Sequence, residues 1–265
     1  MRADLQNLAH QEMAEPKGES AQAARKEFAL LCQEPVLEFA GGKKLRSFAA
    51  ALGCADSERL SDEKIGRSSL LTLVHDARID TPTLCAAILA WGGMQLRHAT
   101  LLFEQRDWLN IAEEIRSGQL RRDESYQKFC GVRREGGLKG MGPAYFTKLI
   151  HFLAPRQQSN PIGYIMDQWV GCSVNLLTSE TTVLMNCNYY WVLVSGSEKP
   201  QQRSTFNVSD ENTAENYEMF CSFIDDLADS LGMSCDDIDA HLFSAGGKKP
   251  KDWRRYVKEH RRHDH

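Results

Sequence analysis

Residues 136–170 read GGLKGMGPAYFTKLIHFLAPRQQSNPIGYIMDQWV, and the rest of the chain is interpreted outward from them. Leu138 to Pro143 is a turn between two helices. Gly140 and Gly142 permit backbone geometry closed to most residues, and Pro143 suits the first position of a helix because it has no amide hydrogen to leave unpaired. The exposed amides of such a helix start can hold a phosphate. Phe146, Leu149, Ile150 and Leu153 then recur at helical spacing and give the helix one buried face. Pro155 and Pro161 bracket a polar break, after which apolar spacing resumes through Val170, Val174 and Leu177. Asp167 stands where that next helix begins, as its N-cap or a first-turn residue. Taken alone it is a capping carboxylate.

The order of parts changes that reading. A glycine turn, an amphipathic helix, a loop and then two apolar residues before Asp resembles the helix-hairpin-helix glycosylase superfamily. GMGPAYFTKLIHF and YIMDQWV are most similar to bacterial proteins with an 8-oxoguanine DNA glycosylase (OGG) fold. The resemblance implies an all-α, two-lobed fold with an N-terminal helical extension. Its hairpin, 138–153, would hold DNA backbone phosphate through Lys139, Gly140, Met141, Gly142 and Ala144, and Asp167 would serve catalysis at the sugar of a flipped nucleotide. Bifunctional members carry a nucleophilic lysine two residues after the second hairpin glycine, where this chain has Ala144. Lys148, one turn further along the same helix face, is the other candidate catalytic residue. Its alternative is an amine that solvates the polar face of the helix. Trp91 in AILAWGG, Tyr145 and Gln168 are the candidate base-pocket residues, and the alternative for Trp91 is a core aromatic.

With no lysine at 144, the expected chemistry is hydrolysis of the N-glycosidic bond of a damaged or modified, purine-like base, with water as nucleophile and no strand cleavage. The chain is then a monofunctional DNA N-glycosylase. The alternative is a non-catalytic module that recognises DNA, a nucleobase or a nucleobase-modified protein. Similarity to proteins from bacterial defence-associated gene neighbourhoods adds antiviral defence to these expectations.

Composition is compatible with this. The 265 residues, 42% hydrophobic and 26% charged, suit one bilobal domain or two small ones and argue against disorder throughout. No apolar run approaches the length of a membrane span and no signal-peptide pattern opens the chain, so a cytoplasmic location is expected. The eight cysteines form no C-x-x-C pair and read as reduced, mostly buried residues. Only Cys221 and Cys235 lie near the C-terminus, too few for an iron–sulfur cluster, and neither a structural zinc nor another cofactor is expected.

The net charge of −4 is unevenly spread. Thr205 to Gly247 holds ten Asp or Glu and no Lys or Arg, whereas Lys248 to Arg262 holds eight basic residues against Asp252 and Glu259. DNA is therefore expected to meet the central segment and the basic tail. The acidic 205–247 segment is a candidate surface for a protein partner.

Three regions follow: a helical extension (1–60), a lobe with the hairpin (61–170), and a second lobe with the basic tail (171–265). Pro16-Lys17-Gly18 breaks the extension. Gly41 to Arg46 is a basic turn without the G-x-x-x-x-G-K-[ST] pattern and reads as a solvated loop rather than a phosphate loop. Helices are expected to start at Ser61, at Thr81 and near Arg121 and Asp210, the last ending at Gly232. A short one follows Ser234. The Arg121-Arg122 and Arg133-Arg134 pairs meet either phosphate or solvent. No alternating series is long enough to build a sheet, and Thr181 to Val194 is expected to be an extended or helical cover. Trp253, Tyr256 and Val257 anchor the tail.

Overall fold

Short turns link helix to helix through most of the computed structural model, which describes residues 19–35, 40–156, 161–178, 180–193, 200–244 and 252–261. In chain order the α-helices are α1 (Glu19–Leu31), α2 (Leu45–Ala51), α3 (Arg67–Val74), α4 (Thr81–Trp91), α5 (Leu96–Phe103) and α6 (Trp108–Arg116). Then come α7 (Arg122–Arg134), α8 (Pro143–Leu153), α9 (Gln168–Thr178), α10 (Ala214–Leu231), α11 (Cys235–Phe243) and α12 (Asp252–His260). Between α9 and α10 lies an antiparallel hairpin of β1 (Met185–Val192) and β2 (Gln201–Val208). The fold is thus mostly helical, as the periodicity predicts. The break expected at Pro16-Lys17-Gly18 lies outside the described residues.

The central helix, α4, is apolar all round, and ten of its residues from Thr81 to Trp91 are buried. Asp80, not Thr81, caps it: the Asp80 carboxylate accepts from the Thr83 amide at 2.8 Å. On α7, Tyr126 and Phe129 face inward, Phe129 stacked on Phe146 of α8 and Tyr126 edge-on to it, which joins the two arms of the central hairpin. One continuous apolar cluster runs from Ala24 to Val257. The ends of the described chain meet in it, with the Phe28 ring of α1 edge-on to Trp253 of α12 at 4.9 Å.

Two further expectations are corrected. Ser61 does not start a helix. Its hydroxyl accepts from the Glu63 amide in a local turn, and α3 begins only at Arg67. The 181–194 stretch is not a simple cover, because β1 pairs with β2 from Met185 opposite Val208 to Val192 opposite Gln201. The strand partner, QQRSTFNV, alternates only over its last four residues, where Phe206 and Val208 are buried between exposed Thr205 and Asn207, a pattern too short to mark a strand by itself.

The arginine pairs do not behave as pairs. Arg122 is buried and donates to Glu218 and Asp225 of α10 and to the Ile162 carbonyl. Arg133 makes a two-pronged ion pair with Asp210 and donates to the carbonyls of Leu138 and Met141 across the hairpin turn. Only Arg121 and Arg134 remain exposed. Asp210, Glu218 and Asp225 of the acidic 205–247 segment thus pair with arginines of earlier helices while remaining partly exposed.

Candidate active site

The hairpin turn is built as its glycines require. Gly140 takes φ +81°, a left-handed conformation, and a Cβ there would come within 2.8 Å of His98 Cβ. The Met141 amide closes the turn onto the Leu138 carbonyl at 3.1 Å and its side chain is fully buried. The amides of Lys139, Gly140, Gly142 and Ala144 make no hydrogen bond among the described residues. Four of the five candidate phosphate contacts thus present unspent donors at the start of α8, whereas Met141 is an anchor that fixes the turn from below.

At the other end of the motif Asp167 caps α9. Its Oδ1 accepts from the amides of Trp169 (2.8 Å) and Val170 (3.1 Å), which fixes the carboxylate and leaves Oδ2 uncommitted among the described residues. Asp167 is 8% exposed and Lys148 5% exposed, yet both reach the wall of one cleft of about 230 Å³. Lys148 Nζ donates to the Ala144 carbonyl at 2.5 Å and lies 5.4 Å from the centre of the Tyr145 ring. Burial pulls the amine's pKa below the usual lysine value, and the carboxylates of Asp167 and Asp239 only partly oppose that shift. The side chain passes over Gly92, where a Cβ would come within 2.9 Å of Lys148 Cδ. A lysine set on the buried side of α8 does not solvate a polar face.

The rest of the cleft comes from distant parts of the chain. Trp91 is both core residue and cleft wall, packed edge-on against Phe152 at 5.0 Å. Gly41 and Gly42 lie against the end of α4, and the amides of Gly41, Gly42 and Lys43 donate to the carbonyls of Ile65, Trp91 and Ala90. With those donors spent, the 41–46 turn is no phosphate loop, and Gly41 is buried rather than solvated. In the orientation that satisfies its neighbours, Gln168 donates to the Phe206 carbonyl and accepts from the Trp169 indole. Trp91 and Gln168 therefore line the cleft, while Tyr145 contributes through Lys148.

Arg254, read from sequence only as part of a basic tail, is buried in the cleft wall. Its guanidinium lies 4.4 Å from the Trp169 ring centre and donates to the Phe243 carbonyl at 2.6 Å. Trp253 beside it bonds the Ser173 hydroxyl, so α12 is docked, not free.

Behind Lys148 lies a buried polar cluster that the sequence does not announce. Arg67 donates to His151 Nε2 (2.7 Å) and to Asp239, and Arg156 also donates to His151 Nε2 at 3.2 Å. His151 Nδ1 then donates to the Gly163 carbonyl at 2.9 Å. Burial, reinforced by the two arginines, holds the His151 pKa well below its usual value, so the ring is neutral and its lone pair faces the guanidiniums. The unfolded chain binds a proton near pH 6.5 that the folded chain refuses. Stability present above that pH is therefore lost as pH falls, by up to about 1.4 kcal/mol per unit. Urea unfolding between pH 7.5 and 5 should show this slope in the wild type and a flatter one in His151→Gln. Equal slopes would remove His151 as the sensor.

Among the described residues no group of three His, Cys, Asp or Glu is arranged to hold a metal ion, and no helix is long and apolar enough to cross a membrane. None of the curated proteins and none of the solved structures compared matches the chain. A family model does, over residues 43–243, which include the hairpin, Lys148, Asp167 and the cleft except Gly42 and Arg254. Its description is "Putative 8-oxoguanine DNA glycosylase OGG-like protein". With about three quarters of its length inside that match, the chain belongs to the OGG-like family of DNA glycosylase-like proteins.

Proposed function

We propose that the protein is a helix-hairpin-helix DNA glycosylase that excises a damaged or modified purine, with Lys148 as nucleophile and Asp167 as the stabilising carboxylate. The observation that carries this reading is the meeting of a burial-depressed amine and a fixed carboxylate on one cleft. A target base inside a duplex is out of reach, so the nucleotide must be extruded and the bent backbone held. The unspent amides of Lys139, Gly140, Gly142 and Ala144 suit that hold.

Neutral Lys148 then attacks C1′. A C–N bond forms as the N-glycosidic bond breaks, and the base departs with the bonding electrons and is protonated. The amine loses its proton, and sugar-ring opening leaves a Schiff base. Asp167 faces the positive charge that develops on the sugar. Ala144 at the family's usual lysine position argues for water as nucleophile; Lys148 supplies an amine to the same cleft from one helical turn away, which favours the covalent route.

The test uses duplexes that each carry one 8-oxoguanine, hypoxanthine or 7-deazaguanine derivative, incubated with and without borohydride. Base release with a trapped protein–DNA adduct is expected. Release without an adduct would restore the hydrolytic route through water and Asp167. Binding of a base without release from any duplex would make the protein a recognition module.

A further inference from the structure

The β1–β2 hairpin begins in the core and runs out of it. Met185, Phe206 and Val208 at its base are buried, whereas Tyr189 and Trp191 are 51% and 66% exposed. Side chains alternate across a strand, so Tyr189 and Trp191 lie on the face that Met185 and Cys187 turn toward the body. That face continues the cleft. Gln168 of the cleft donates to the Phe206 carbonyl, and Arg261 lies 3.7 Å from the Phe206 ring centre and 6.0 Å from that of Trp169. Arg261 also donates to Ser204, the cross-strand partner of Tyr189. An aromatic row with the Arg261 guanidinium set into it thus leads from Trp169 through Phe206 to Tyr189 and Trp191.

Aromatic faces interleaved with cations suit unpaired nucleobases on a polyanionic strand, because every base has a face to stack and every phosphate a charge to neutralise. We infer that the inner face of this hairpin is a nucleobase-stacking arm that receives the bases flanking the extruded nucleotide. This rests on the cleft being the site of extrusion.

The experiment measures binding of a duplex containing one tetrahydrofuran abasic analogue with 2-aminopurine next to it, by anisotropy and by 2-aminopurine fluorescence. Base release by each protein on the purine panel is assayed in parallel. Tyr189→Ala and Trp191→Ala should each weaken binding by about tenfold to a hundredfold and change the 2-aminopurine signal. Trp191→Phe should restore most of the affinity. The dependence on salt should stay as in the wild type, since no charge is removed, and the unfolding midpoint of Trp191→Ala should not move, since that side chain is 66% exposed. Wild-type affinity in the alanine variants, with base release intact, overturns the arm and leaves the excision reading standing. Sedimentation of the wild type as a dimer that Trp191→Ala dissociates would make the face a contact between copies and also overturn it. A wild type that binds no duplex at all overturns both.

Discussion

Lys148→Met should eliminate the borohydride-trapped adduct and slow base release on the order of a thousandfold or more, in a protein that still folds. Methionine matches the length of the lysine stem, so the packing over Gly92 is kept while the amine is lost. An unfolding midpoint equal to or above that of the wild type is expected, because a buried amine is costly to desolvate and Lys148 is 5% exposed. The pH profile supplies a second readout. Attack requires the neutral amine, so base release should rise with pH through the Lys148 pKa and level off below the range of an ordinary lysine, since burial lowers that pKa. If Lys148→Met released base at the wild-type rate, the nucleophile would be water.

Asp167→Asn should cost about a hundredfold or more in base release while leaving stability nearly unchanged. An asparagine oxygen can still accept from the amides of Trp169 and Val170, so the cap survives the loss of charge. Asp167→Ala removes both and should lose about 1 kcal/mol of stability as well. Comparing the two separates the residue's two tasks. Full activity in Asp167→Asn would reduce the carboxylate to a helix cap.

The parts of this site that were legible in the sequence are those that local rules determine. Gly140, Gly142 and Pro143 mark a turn because few residues tolerate that backbone, and Asp167 falls where apolar spacing resumes, which is where a cap must be. Lys148 was legible as a candidate and undecided as a role, because helical spacing cannot say which of two neighbours covers a lysine. Arg254, Asp239 and Gly92 were not legible as site residues. Each acts through a partner far away in sequence, as Arg254 does with Trp169 and Asp239 with Arg67.

Charge counting could not see ion pairs between distant segments for the same reason. Asp210, Glu218 and Asp225 look like a solvated acidic face until Arg122 and Arg133 are seen to reach them. The hairpin escaped because Gln201–Val208 becomes a strand only by pairing with Met185–Val192. Trp253 and Val257, read as anchors of the tail, do lie on the buried side of α12, and its basic character hid only that Arg254 joins them there.

The docking of α12 also bears on how the protein is made. The cleft wall draws on Gly42 near one end of the chain and Arg254 near the other, and Phe28 and Trp253 close the core between them. A nascent chain therefore has its glycine turn and Lys148 long before it has a finished cleft, and the last wall is set only after residue 254 has left the ribosome. The cleft is thus a property of the finished fold and not of any segment that leaves the ribosome before it.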